Sequence, residues 1–183
     1  MEQERLVSKE EGEWLLKVAR NAIHKVFDKN LQLLNIGSFF SLSLCQSRGV
    51  FVSLWKDDLI NCIGHPFPDR SLEAAVQQFA IQSAVEFGQF SSLSVDDVSR
   101  IRIKISIMTH PIPIEPNQIQ IGVHGLIIDQ SGQLGILLPE TATGYNWTVP
   151  IFLEHLCLKA ELPKDAWKKT ARLYAFTTQI IGV

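Results

Sequence analysis

Long apolar runs are missing from this chain of 183 residues. A membrane-spanning helix needs about 20 apolar residues in succession, and stretches such as Ile136-Leu137-Leu138 fall far short. The opening Met1-Glu2-Gln3-Glu4-Arg5 is charged and lacks the apolar stretch of roughly 7–15 residues that a secretory signal requires. Neither a span nor a signal is expected. Cysteine is scarce: Cys45, Cys62 and Cys157 are the whole supply. An odd, low count excludes a disulfide framework and fits free thiols in the cytoplasm. No sign of charge dominates, since 17 Lys+Arg face 19 Asp+Glu for a net charge of −2. A dedicated nucleic-acid binder is usually strongly basic, so that class is disfavoured. The glycine-rich phosphate loops and the Gly-x-Ser-x-Gly elbow are absent from the sequence, and no cofactor is expected.

What is present is ordinary globular material, with 46% hydrophobic and 20% charged residues. A chain of this length can bury about 70% of its unfolded surface in one core without metal or disulfide. Ser8 and Glu11 form a capping box that opens a helix over residues 8–28. Trp14, Leu15, Val18, Ala19, Ala22, Ile23, Val26 and Phe27 make its apolar stripe. Residues 50–55 and 59–64 read as a hairpin of two well-buried strands, with Lys56-Asp57-Asp58 as the turn. A second helix starts at the N-cap Ser71 and runs to Phe87, where Gly88 stops it. Ile101, Ile103, Ile105 and Ile107 alternate with Arg102, Lys104, Ser106 and Met108, predicting a strand with one buried and one wet face. Pro111, Pro113 and Pro116 mark an extended crossing segment. Strands over 123–129 and 133–138 are joined by Gln130-Ser131-Gly132. A third helix covers 148–160, a short helical turn runs from Pro163 through Trp167, and a final strand spans 172–181. Several neighbours look like hairpins, so the expected class is α+β, with a largely antiparallel or mixed sheet and flanking helices.

The segment Leu59-Ile60-Asn61-Cys62-Ile63-Gly64 resembles the hallmark of the AMMECR-type domain family, usually Leu-Arg-Gly-Cys-Ile-Gly. Prokaryotic members of that family are called AmmeMemoRadiSam system protein A. Arg48-Gly49-Val50-Phe51-Val52-Ser53-Leu54, Ile105-Ser106-Ile107-Met108-Thr109, His124-Gly125-Leu126 and Gly135-Ile136-Leu137-Leu138-Pro139-Glu140 are similar to further family segments in the same order. So are Phe152-Leu153 and Cys157-Leu158-Lys159-Ala160-Glu161-Leu162-Pro163. The resemblance implies one AMMECR-type domain over residues 1–183, compact, with a larger and a smaller lobe. It implies no particular reaction. Genes of this type tend to lie beside those of a Memo-like protein and a radical S-adenosylmethionine enzyme, which implies a role next to radical or metal chemistry. The chain departs from the pattern at Ile60 (usually Arg), Asn61 (usually Gly), Lys104 (commonly Glu), Phe87-Gly88-Gln89-Phe90 (usually Asp-Pro-Arg-Phe) and Gln179 (usually Glu). Several charged family positions are therefore apolar, neutral or reversed.

Cys62 is the chief candidate for chemistry. A thiolate nucleophile needs a cation, an imidazolium or a helix N-terminus to lower its pKa. His65 lies three residues on, and His124 is the other natural partner if its strand pairs nearby. The competing reading is a buried structural cysteine, because Cys62 shares a strand face with Ile60. Cys62, His65 and His124 could also converge on an ion. A structural zinc wants four ligands, and His155 and Cys157 lie about 200° apart on a helix, so no metal site is expected. Candidate binding residues are Arg48, Asn61 and Glu140 in the family-like segments, and Trp147 as core or cleft lining beside the third helix. Arg100, Arg102 and Lys104 share one strand face that could hold an anion or simply be solvated. No aromatic residue interleaves with them to stack a base.

Two classes of function remain open. The first is a partner-binding or accessory domain presenting the hairpin and the His124 strand. The second is a small enzyme with Cys62 as nucleophile or redox thiol and His124 or His65 as base. Both place the working surface around Cys62, His65 and His124. The neutral charge, the missing cofactor motifs and the lost charges favour the first.

Overall fold

A computed structural model describes residues 5–27, 37–56, 58–85, 95–98 and 100–182. In chain order the helices are α1 (Lys9–Phe27), α2 (Leu42–Cys45), α3 (Leu72–Val85), α4 (Val95–Val98), α5 (Pro139–Gly144) and α6 (Val149–Lys159). The strands are β1 (Val50–Trp55), β2 (Leu59–His65), β3 (Arg102–Met108), β4 (Ile112–Pro113), β5 (Gly125–Gln130), β6 (Gln133–Leu137), β7 (Arg172–Phe176) and β8 (Thr178–Gly182). The class is α+β, as expected. Two four-stranded sheets have the orders β2-β1-β3-β8 and β4-β7-β5-β6. The chain divides into two compact units, one holding the described residues up to Ile107 and from Gln179 onward, the other Met108–Thr178. The expected end of the second helix at Phe87-Gly88, the following Gln89-Phe90, and Asp57 in the first turn lie outside the described residues.

In the first unit the capping box forms as read. The Ser8 N–H donates to Glu11 Oε2 at 2.5 Å, and the Glu11 N–H to Ser8 Oγ at 3.1 Å. The stripe from Trp14 to Ile23 is buried. Val26 is not: it is 39% exposed, while Phe27 beside it is partly buried against the core. Pairing of Val52 with Ile63 on one side and Ile105 on the other puts Val50, Val52, Leu54, Ile103, Ile105 and Ile107 on one face. That face shares a core with Leu15, Val18 and Ile23 of α1 and with Leu72, Val76 and Phe79 of α3. Ser71 caps α3 by accepting the Ala74 N–H at 3.3 Å, and Ser83 inside it donates to Val52 O at 2.8 Å. Two expectations change. β2 is half-buried rather than well buried, because it is an edge strand. In β3 only Arg102 is exposed on the second face; Ser106 and Met108 are buried, since both are small or apolar enough to be enclosed.

In the second unit, β5 and β6 form a hairpin whose two turn residues, Ser131 (φ 54°) and Gly132 (φ 88°), both have positive φ. That is the type I′ turn whose twist suits paired strands. α6 buries Phe152, Leu153, Leu156 and Cys157 with Leu126, Ile128 and Leu173. α5 was not expected as a helix, although Pro139 in its first turn is a start signal. The expected strand over 172–181 is two strands, β7 and β8, one in each sheet. They break at Thr177, whose N–H goes instead to Thr109 Oγ1 at 2.9 Å while its carbonyl accepts the Thr109 N–H at 3.0 Å. The turn after Pro163 is a 3₁₀ turn over Ala166–Lys168.

Candidate functional site

The hallmark segment is β2 itself. Its register with β1 runs unbroken from Val50–His65 to Leu54–Asn61. Successive side chains alternate in direction, so Cys62 and Gly64 share one face and Asn61, Ile63 and His65 the other. The register shift between Leu54 and Trp55 takes Ile60 out of that alternation and onto the core, so it does not share the face of Cys62 as expected. Cys62 and His65, three apart, therefore lie on opposite faces of the sheet. The half-buried Cys62 sulfur accepts from Ser53 Oγ at 3.1 Å across the strand pair. His65 Nδ1 accepts the Phe67 N–H at 3.0 Å, which leaves Nε2 as the protonated nitrogen of the neutral ring. Asn61 Oδ1 accepts the Cys62 N–H at 2.9 Å. Gly64 has no room for a side chain: a Cβ there would stand 2.5 Å from Phe51 Cα and closer still to Val50 O.

Beside β2 runs a groove of about 480 Å³, bounded by Ile63 and His65, by Phe67 and Arg70 of the following loop, and by Gln78 and Gln82 of α3. The side-chain oxygens of Gln78 and Gln82 are shut off from solvent and have no hydrogen-bond partner among the described residues. Sequence reasoning missed this pair. Their i, i+4 spacing was visible, but not which strand α3 would lie against.

Arg48 belongs to the same unit, just before β1. Its Nη2 donates to Gln46 Oε1 at 2.9 Å, and its buried Nε has no partner among the described residues. His124, Glu140 and Trp147 belong to the second unit. His124 is not on a strand. It closes a turn before β5, with its N–H on Gln120 O at 3.0 Å and its Nδ1 accepting the Gln120 N–H at 3.2 Å. Burial holds its imidazole below the usual histidine range. Glu140 stands half-buried in the first turn of α5. Trp147 lies between Tyr145 (centroids 5.0 Å apart) and His155 (3.9 Å), both exposed, so it forms a surface stack as well as packing on Phe152. His155 is exposed while Cys157 is buried, and burial pushes the Cys157 thiol up. Among the described residues no three His, Cys, Asp or Glu side chains come together as a metal site would need. No helix among them is long and apolar enough to cross a membrane.

Residues 16–181 match the AMMECR1 family. The chain belongs to that family. A Methanosarcina barkeri protein is 38% identical to this AMMECR1-family chain over 179 residues, covering 93% of this chain and 89% of its own length. A Methanothermobacter thermautotrophicus protein is 37% identical over 186 residues, covering 95% of each. The crystal structure of the uncharacterized protein PH0010 from Pyrococcus horikoshii superimposes with a TM-score of 0.85 at 31% identity, over 96% of this chain and 93% of that one.

The departures of this AMMECR1-family chain from the family pattern have local reasons. Ile60 packs on the first unit's core. Lys104 Nζ lies 5.6 Å from the Trp55 ring centroid, a cation–π arrangement. Gln179 Oε1 accepts the Leu6 and Val7 N–H groups at 2.7 and 3.0 Å, and its Nε2 donates to Val7 O at 2.8 Å. An ionised Glu in that place could accept both N–H groups but could not donate to Val7 O.

Proposed function

We propose that this AMMECR1-family chain is a partner-binding accessory protein of the cytoplasm. It would work as one AMMECR-type domain beside a Memo-like protein and a radical S-adenosylmethionine enzyme. The observation that supports this reading best is the hallmark strand at the edge of its sheet, with no further strand paired to it among the described residues. Leu59 at its start and Phe67 just beyond its end are 48% and 54% exposed. An exposed strand edge flanked by large apolar side chains is a docking feature that folded proteins normally cover or blunt. Asn61 and Arg48 would shape this surface. Co-expression of the chain with a tagged Memo-like protein and a tagged radical S-adenosylmethionine enzyme tests it. A stable complex that Phe67→Asp weakens is expected. A chain retained by neither partner ends the reading.

A second reading keeps one observation in its favour. The Ser53 hydroxyl donates toward the Cys62 sulfur, which would stabilise a thiolate in a small enzyme using Cys62 as nucleophile or redox thiol with His65, of the same unit, as base. The alternation of β2 weighs against His65 in that role. Alkylation rates of Cys62 against pH decide it: ionisation well below the free-cysteine value of about 8.5 supports a nucleophile, and an ordinary titration removes it.

A further inference from the structure

We infer that the groove between β2 and α3 receives an extended peptide segment of a partner, added as a fifth strand beside β2. This rests on the partner-binding reading above and gives it a chemistry. In an antiparallel ladder alternate residues turn their main-chain groups toward and away from the neighbouring strand. The Cys62 N–H is taken by the side chain of Asn61, so it faces away from β1. Gly64, two residues on in the same unbroken register, turns the same way. Its close approach to Phe51 Cα is that of a pair not hydrogen-bonded to each other, which agrees. The N–H and C=O of Gly64 are thus directed at the groove, with no side chain over them.

The opposite wall supplies matching valence. Gln78 and Gln82 stand one helical turn apart. Each carboxamide carries a donor and an acceptor, the complement of a peptide unit. Their oxygens are sealed and have no hydrogen-bond partner among the described residues, a state that buried polar groups rarely keep. With each amide turned about its last torsion, the oxygen would accept a peptide N–H in the groove. His65 Nε2 adds a donor, and Ile63 with the largely buried Phe79 gives an apolar floor. At the mouth Asp69 and Arg70 pair with each other at 2.8 Å, leaving little net charge there. The groove is therefore suited to main chain and one apolar side chain rather than to a charged ligand or a helix.

The test uses the full chain and a displayed library of linear peptides of about ten residues. Selected peptides are expected to bind, and Gln78→Met with Gln82→Met should weaken them at least about tenfold. The same double variant should melt no lower than the parent, because it deletes unsatisfied groups. Methylating peptide nitrogens at alternate positions should abolish binding in one phase and spare it in the other, as strand pairing demands. A library that yields no binder, or binders indifferent to both changes, overturns the inference. If the Memo-like partner is retained by the double variant, the peptide groove falls and the broader reading stands. If neither partner is captured, the broader reading falls and the peptide measurements still decide the groove.

Discussion

β2 and β4 both end a four-stranded antiparallel sheet, yet they treat the exposed edge in opposite ways. β4 has two residues, Ile112 and Pro113, preceded by Pro111. Prolines remove main-chain donors, and a two-residue strand offers nothing to extend. β2 has seven residues and no proline, and it runs beside a groove. Along it the Asn61 side chain takes the Cys62 N–H. The far edge of the same sheet, β8, is handled in a third way: Gln179 ties Leu6 and Val7 to it through three hydrogen bonds. Among the described residues one edge is thus closed with proline, another with the Leu6–Val7 segment, and no strand pairs with the outer edge of β2. That contrast is what supports the proposal of β2 as a docking edge.

The sharpest way to break the contrast is at Gly64. If β2 is held in place by close packing on β1, then Gly64→Ala drives a Cβ into Phe51 Cα and Val50 O, main-chain atoms that cannot step aside. A loss of about 3 kcal/mol in denaturant unfolding is expected, at the upper end for overpacking. Gly132→Ala in the other hairpin is the control. Nothing lies within 4 Å of that position, and only its φ of +88° resists a side chain. It should cost about 1 kcal/mol. If Gly132→Ala proves as damaging as Gly64→Ala, close packing is not what requires glycine in the hallmark.

These two glycines also show which parts of the molecule were legible in the sequence. The Ser131-Gly132 turn and the Ser8–Glu11 box are local chemistry, and both form as read; the alternation of residues 101–107 does give a strand, but its second face is exposed only at Arg102. The division of residues 172–181 into β7 and β8 was hidden, because alternation runs through Thr177 and only its distant partner Thr109 interrupts it. His124 was misplaced on a strand, because the bonds to Gln120 that turn the chain there carry no marked sequence signal. For the candidate site, the family resemblance located β2, but the opposite facing of Cys62 and His65 needed the register. Gln78 and Gln82 needed the packing of α3.

The next effect in size concerns the closed edge. Gln179→Ala removes three hydrogen bonds to Leu6 and Val7 and should cost about 1–3 kcal/mol. Hydrogen exchange at the Leu6 and Val7 amides should quicken along with it, while amides of β2 stay unchanged. If those two amides remain protected in the variant, something other than Gln179 closes the β8 edge.

The smallest effect lies in the helical cover of the same sheet. Burial alone would raise the pKa of Glu11, but hydrogen bonds from Ser41, Ser8 and Ser43 outweigh it and hold the carboxyl below the usual glutamate range. A carboxyl whose folded pKa is depressed stabilises the fold fully above the unfolded value of about 4.3 and loses that contribution as pH falls through the lower folded value. Glu11→Gln should therefore cost about 1 kcal/mol at pH 7, the usual scale for a helix cap. The gap to the parent should close as unfolding is measured at successively lower pH below that value. A gap that stays constant down to pH 3 would mean that the ionised carboxylate contributes nothing, and that Ser8 and Ser41 are held by shape alone.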